Sequence, residues 1–453
     1  MVLRLRFSPM VRLAVLLPWL GLFAVHAQAE VAEVHAELET RSQYDDDAGN
    51  NADADDPAIW IHPTKRSRSL VITTLKEGGI DVYDLSGRLL QHLDADSETE
   101  IAEPGRFNNA DLIYGFPVGD ESLDLVVVSD RGRDQLVIFR IRPNYNDRLL
   151  PLIEFTSRTQ AGNIFTANQD EANDGRTAYG LATAKMSSTG PYYAFVSQND
   201  TTQVARLELL ASNDGRVGYR LDKTVALPDL YTLPNGNTWR ACQDEDGQEA
   251  QVEGMVADVV HDRLYMGQEK VGIVRTSLSA FGNAYEFVDK TTDFGVPYQR
   301  IYDEEEEEYL CVLLSGPISG VSGEYLQADV EGLTLYAPPG GNGYLLASSQ
   351  GDDTFVVYDR RPGNAFVGQF VIGADDDDGL DSVEETDGAM VTNVNLGGEF
   401  EDGLLVVQDG ENTPEKKDAD GETRDNTNFK FVEWEDVAEE LDLLIDTRQA
   451  VRP

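Results

Sequence analysis

Short apolar runs with a period of two recur along the chain, and most are opened by an acid or a tyrosine. DDPAIWIHP (55–63) precedes SLVITTLKEGGIDVYDLSG (69–87), and DLIYGFPV (111–118) precedes DLVVVSDRGRDQLVIFRI (124–141). AYGLATAKM (178–186) leads to YYAFVSQNDTTQVARLEL (192–209), and VEGMVADVV (252–260) leads to RLYMGQEKVGIVRTSL (263–278). VEGLTLYAP (330–338) precedes GYLLASSQGDDTFVVYDR (343–360), and DGAMVTNVN (387–395) precedes GLLVVQDGEN (403–412), with NFKFVEW (428–434) as a further strand. Each copy reads as an apolar strand, a turn, a second apolar strand, a polar hairpin and an alternating third strand. Period-two patterning rich in β-branched and aromatic residues excludes helical repeats. Six copies of a four-stranded unit predict an all-β fold, a six-bladed β-propeller of antiparallel blades. The segment 31–42 is expected to pair into the last blade and close the ring, and 435–446 has the periodicity of a short C-terminal helix.

In such a blade the first strand lines the central channel and the second returns antiparallel to it. The start of the first strand and the end of the second therefore share one face. The starts carry Asp55, Asp56, Asp111, Tyr179, Glu253, Asp329, Glu331 and Asp387; the second-strand ends carry Lys76, Arg131, Asn199, Glu269, Lys270, Gln350 and Asp409. One acid in such a place can simply cap backbone N–H groups. Repetition around the ring points to a site instead.

The bulk composition narrows what that site meets. Residues 1–29 combine a basic start, the apolar run LAVLLPWLGLFAV and small residues in HAQA, the pattern of a signal peptide cut after Ala29. The expected organisation is thus a signal peptide at 1–29, a propeller domain at 30–447 and a tail at 448–453, exported to the periplasm or secreted. The formal net charge of −46 becomes −49 without the leader arginines Arg4, Arg6 and Arg12. That charge disfavours nucleic acid and anionic membrane as partners. Cys242 and Cys311 are the two cysteines, a pair that can form a disulfide in an exported protein and too few for a zinc-finger framework.

Carboxylates gathered at one mouth repel one another, so either their pKa values rise or cations sit among them. Oxygen ligands without a thiolate or imidazole cluster suit calcium, in several copies. Bound calcium makes an anionic mouth attractive to an anionic substrate, and Lys76 and Arg131 add fixed positive charge suited to phosphate.

DDPAIW, ITTLKEGGIDVYDLSG, EGLTLY, GYLLASSQG, TDG (386–388), QDGEN and NFKFVEW, in this order over roughly residues 40–440, resemble the β-propeller phytases. The resemblance implies a calcium-dependent phosphomonoesterase that hydrolyses calcium phytate (myo-inositol hexakisphosphate) by direct attack of a metal-bound water, acting as a monomer. By motif it implies that Lys76 in TTLKEGG and Arg131 in VVSDRG are phosphate ligands. It implies that Tyr179, Glu253, Asp329, Glu331, Asp381 and Asp387 hold catalytic calcium or water, and that Asp55 and Asp56 form a calcium pair at the first blade. Asn108 and Asp111 fall where the family also places polar site residues, and Asp111 is expected as a further metal ligand.

Two departures bear on residue roles. Asn199-Asp200 stands where Bacillus members have Lys-Glu, and Gln268-Glu269 stands where they have consecutive glutamates, which leaves Glu269 as the acid at that place. Long connectors at 226–250 and 281–327 carry one cysteine each, and the run 303–308 reads as a solvated acidic loop. Other readings are a calcium-loaded binding propeller without turnover, or another metal-dependent propeller hydrolase such as a lactonase. The Lys76–Arg131 pair beside the acids favours phosphate hydrolysis over both. The chain has no RHGxRxP segment and no CxxxxxR loop, which disfavours histidine acid phosphatase and cysteine phosphatase chemistry.

Overall fold

A computed structural model of the chain describes residues 31–46, 49–303, 308–375, 377–417, 421 and 423–448. The expected leader, most of the acidic run 303–308 and nearly all of the tail lie outside the described residues.

The repeats form six blades. Blade one pairs Pro57–Trp60, Leu70–Thr74, Ile80–Tyr83 and Leu89–Leu93 in sequence order. Blades two, three and four begin at the inner strands Phe107–Val118, Ala178–Lys185 and Val252–Asp258. Blades five and six begin at Val330–Tyr336 and Ala389–Thr392. Each inner strand touches the inner strand of the next blade, and the sixth returns to the first.

The apolar face of each strand is buried between blades. One hydrophobic cluster joins blades one and two through Ile72, Val82, Val126 and Val128, and the next joins blades two and three through Val127, Ile138, Val196 and Leu207. The same arrangement holds for the other four neighbouring pairs. Each fully buried Val or Leu of this kind contributes about 1.5–3 kcal/mol. Because the core is divided among the blade interfaces, the channel is left to polar side chains.

The start of the chain bridges two blades. Leu38–Glu39 and Gln43–Tyr44 pair with Asn426–Glu433 in blade six, as expected for closure. Ala32–His35, by contrast, adds in parallel to Phe366–Gly373 at the outer edge of blade five. The terminal helix covers Trp434–Glu440 and stops short of the expected 446. Asp442 turns into the left-handed region (φ 51°), and the backbone N–H groups of Leu444 and Asp446 donate to the hydroxyls of Tyr344 and Tyr336 at 2.8 and 2.9 Å. These tertiary partners pull the chain out of the helix. Among the described residues, no helix is long and apolar enough to cross a membrane.

The two long connectors form a small layer of their own. Leu233, Trp239, Ala241, Ala250 and Phe294 make a separate apolar cluster with Val271. The hairpin Tyr298–Tyr302 with Tyr309–Leu313 is joined by a Cys242–Cys311 disulfide to the first connector.

Candidate active site

Local backbone geometry aims the side chains at the channel mouth. In blades three, four and five the pairing register breaks at the dipeptides Tyr179-Gly180, Glu253-Gly254 and Glu331-Gly332. Such bulges re-aim the side chain that carries them. The glycine then lets the neighbouring blade approach: a Cβ on Gly180 would lie 2.0 Å from the Glu253 carbonyl oxygen, and one on Gly254 would lie 2.0 Å from that of Glu331. Side-chain acids are thereby drawn together from adjacent blades.

They meet in a cavity of about 280 Å³. Asp55, Asp244, Glu253, Glu269, Asp329, Glu331 and Asp387 supply its carboxylates. Lys76, Arg106, Arg131 and Lys270 supply its cations. Oxygens of Glu253, Glu269 and Glu331 lie within 4.8 Å of one another, and these side chains are only 4–6 % exposed.

Glu253 is held on both sides. Asn108 Nδ2 donates to its Oε1 at 2.7 Å, and the Tyr179 hydroxyl donates to its Oε2. The Arg131 guanidinium lies 4.9 Å from the centre of the Tyr179 ring, so one phenol orients both an acid and a cation. Glu269 accepts from Gln251 Nε2 at 3.0 Å, and Asp387 accepts from Gln350 Nε2 at 2.9 Å. Lys76 pairs with Asp53 and, at 3.4 Å, with Asp387.

Burial dominates the electrostatics. It raises Asp55, Glu269 and Glu331 well above the usual carboxylate range, with Glu253, Asp329 and their neighbours adding repulsion. Asp329 is pushed up to about 6 and Asp387 to about 7, again chiefly by burial, with Lys270 and Lys76 respectively opposing the shift. For Lys76, burial opposes the charge, but Asp387 and Asp53 outweigh it and raise the ammonium pKa.

Both carboxylate oxygens of Asp55, Glu269 Oε1, Asp329 Oδ1 and Glu331 Oε2 are buried without a hydrogen-bond partner. Orphaned anionic oxygens are costly unless a cation meets them. A hard-oxygen donor set of this kind fits a divalent ion such as calcium.

Three expected metal ligands stand apart from this cavity. Asp56 accepts from the Ala110 N–H at 2.9 Å and does not line the cavity. Asp111 accepts from the N–H groups of Leu112 and Thr183, each at 2.6 Å, and from the Thr183 hydroxyl at 3.0 Å. In blade two the register breaks between Phe107 and Ala110, so Asn108 takes the mouth position and Asp111 falls deeper. Asp381 belongs to the connector before blade six, where it accepts from the Thr413 hydroxyl at 2.9 Å and pairs with Lys430 at 2.5 Å. Of the departures from the family pattern, Gln268 points away from the cavity into hydrogen bonds with Tyr231, Pro228 and Ala250, and Asn199 binds the Gly175 carbonyl.

Sequence reasoning did not select Arg106, Gln243, Asp244, Gln248 or Gln251, which also line the cavity. Arg106 immediately precedes the inner strand of blade two, a place the repeat could have flagged. The other four come from a connector without periodicity and carry no such signal.

The Phytase family model matches residues 5–227 and 314–453. A 3-phytase of Bacillus subtilis (strain 168) is 30% identical over 424 residues, covering 93% of this chain and 90% of that protein. Crystal structures of BBS1N in complex with ARL6DN, soaked with lead or mercury, align with a TM-score of 0.37 at 10% and 11% identity. They cover 79% and 83% of this chain, and 74% and 78% of theirs. With the family model spanning most of the chain and a relative aligned nearly end to end, the chain belongs to the phytase family.

Proposed function

We propose that this chain is a calcium-dependent phosphomonoesterase that removes phosphate from phytate at the channel mouth, giving lower inositol phosphates and inorganic phosphate. The observation that carries this reading is the convergence of Glu253, Glu269 and Glu331, the last two with an unpartnered oxygen each, beside Lys76 and Arg131 in one polar cavity. Glu253, Glu269, Glu331, Asp55, Asp329 and Asp387 would hold the calcium ions. When bound, calcium supplies positive charge and Lewis-acid activation of water.

The remaining roles fall to the chain's own side chains. Arg131, stacked on Tyr179, presents its guanidinium edge to phosphate oxygens, and Lys76 contributes a compact charge beside Asp387. Tyr179 and Asn108 fix the rotamer of Glu253. Glu269, whose Oε1 is buried in the cavity without a hydrogen-bond partner beside Glu253 and Glu331, is placed to accept a proton from attacking water. The polar, cation-bearing cavity does not suit the apolar substrate of a lactonase. Export to the periplasm or beyond agrees with the disulfide, which persists in oxidising compartments.

The test is phosphate release from phytate across pH, with added calcium and then with a chelator. Calcium-supported turnover abolished by chelation is expected. Turnover indifferent to chelation would overturn the calcium dependence, and no release of phosphate with calcium present would overturn the activity.

A further inference from the structure

Gln251 stands at the mouth end of blade four, immediately before the inner strand Val252–Asp258, and Glu269 immediately follows the second strand Arg263–Gln268. The two meet across the blade. The Glu269 N–H donates to the Gln251 carbonyl at 3.2 Å, and Gln251 Nε2 donates to Glu269 Oε2 at 3.0 Å. The other end of the Gln251 amide crosses to blade three. Its Oε1 accepts from the backbone N–H of Asp200 at 2.7 Å, in the turn after the second strand Tyr192–Gln198.

The bond to blade three fixes the sense of the bond to Glu269. A backbone N–H can only donate, so the amide oxygen must face Asp200 and the NH2 group must face the carboxylate. Asp200 is itself set by its turn: it lies in the left-handed region (φ 59°), and its carbonyl accepts from the Glu249 N–H at 3.0 Å. The last torsion of a glutamate is broad, so an unrestrained carboxylate samples many planes. Gln251 restrains this one, with Oε2 engaged and Oε1 buried and unpartnered in the cavity beside Glu253 and Glu331.

Glu249 provides an internal comparison. It ties the same connector to the same turn, accepting from the N–H and the hydroxyl of Thr202, each at 3.2 Å, but it does not line the cavity.

We propose that Gln251 is a positioning residue for the hydrolytic step: it sets the plane of the Glu269 carboxylate, so that Oε1 is presented to the attacking water, and takes its own orientation from blade three. The inference rests on the hydrolase reading above and on the part given there to Glu269. Because Glu269 faces water while Lys76 and Arg131 face phosphate, a carboxylate turned out of its plane slows the chemical step and leaves substrate binding alone.

The experiment compares steady-state kinetics of the calcium-loaded, full-length enzyme on phytate with thermal melts of the same proteins in chelator. Gln251→Met, which loses both bonds, is expected to lower kcat about ten-fold with KM within about two-fold, the size of one hydrogen bond to a charged group. Gln251→Glu, which keeps the acceptor for Asp200 and loses the donor to Glu269, is expected to lower kcat as much. Glu249→Leu, which loosens the connector without touching Glu269, is expected to lower the metal-free Tm by about 2 °C, as Gln251→Met does, and to keep kcat within about two-fold. Wild-type kcat in Gln251→Met or Gln251→Glu, or an equal loss of kcat in Glu249→Leu, would overturn the proposal in favour of a structural tie between blades. A wild-type enzyme that releases no phosphate from phytate would instead remove the hydrolase reading, and this inference with it, before any variant is made.

Discussion

The Tyr179 hydroxyl donates to the Glu253 carboxylate across the boundary between blades three and four, while the ring of the same tyrosine carries the Arg131 guanidinium on its face. One side chain thus couples an acid of the buried carboxylate cluster to the Arg131 guanidinium, the cation proposed to bind phosphate. Tyr179→Phe keeps the stacking and loses the hydrogen bond. It is expected to lower kcat/KM on phytate about ten-fold, in line with one hydrogen bond to a charged group. Tyr179→Ala removes both contacts and should cost about ten-fold more. Equal effects of the two substitutions would show that the hydroxyl, and not the ring, carries the coupling.

Lys76 and Arg131 are expected to matter for the phosphate itself. Replacing either by alanine should lower kcat/KM about 100-fold, the range seen when one fixed donor to a reacting oxyanion is removed. The double variant should fall short of the product of the two effects, because both face one phosphate. Steady-state kinetics on phytate would check this.

The site should destabilise the metal-free protein in a pH-dependent way. Asp329 titrates at about 6 and Asp387 at about 7, both above their ordinary value of 3.8 because they are buried. Between about pH 4 and 7 the folded state binds protons that the unfolded chain has already released, so the contribution of these groups to stability falls as pH rises through that window. Calcium competes with those protons. The gain in Tm on adding calcium should therefore grow from pH 5 to 7.5, as measured by thermal melts with calcium and with chelator. A calcium effect that does not vary with pH would contradict the assignment of Asp329 and Asp387 to the cation site.

Glu331 illustrates a trade between function and stability. Its Oε2 is buried without a partner, and burial with repulsion from Glu253 and Glu269 holds its pKa high. Glu331→Gln keeps the shape and removes the charge. The metal-free Tm should rise by about 2 °C, while calcium-dependent activity falls about 100-fold or more.

Gly254 tests the close approach of blades four and five. A methyl group there would lie 2.0 Å from the Glu331 carbonyl oxygen. Gly254→Ala should push the inner strand of blade five away and lower both Tm and kcat. The loss in kcat should be about ten-fold or more, since sub-ångström placement of the acids governs the reaction.

Much of this was legible in the chain because a repeat carries its own alignment. Period-two strands and their order predict the six blades, and the acid at the head of an inner strand locates Glu253, Glu331 and Asp387. The same logic puts Asp111 at the mouth, where the cavity is lined by Asn108 instead. Only the backbone register shows that the bulge in blade two falls at Asn108-Asn109, which leaves the acid three residues later bound to Thr183. Asp381 has a composition indistinguishable from that of a mouth ligand, and its engagement with Lys430 depends on a strand 49 residues away. Gln243, Asp244, Gln248 and Gln251 lay beyond reach because a connector has no periodicity, and the tether that sets its course, Cys242 to Cys311, spans 69 residues.

The bridge formed by residues 32–44 sets an order of assembly. These are the first described residues to leave the ribosome, yet their partners in blade six are at 426–433, among the last. Until that final strand has been made, the opening segment has no neighbour in blade six and the toroid stays unclosed. Blades one to five can gather as they are synthesised, but the carboxylate ring acquires Asp387 beside Asp55 only after the whole polypeptide is available. The pairing that closes the ring is therefore also the last to become possible, so a chain truncated before residue 426 would lack the strand that closes the carboxylate rim.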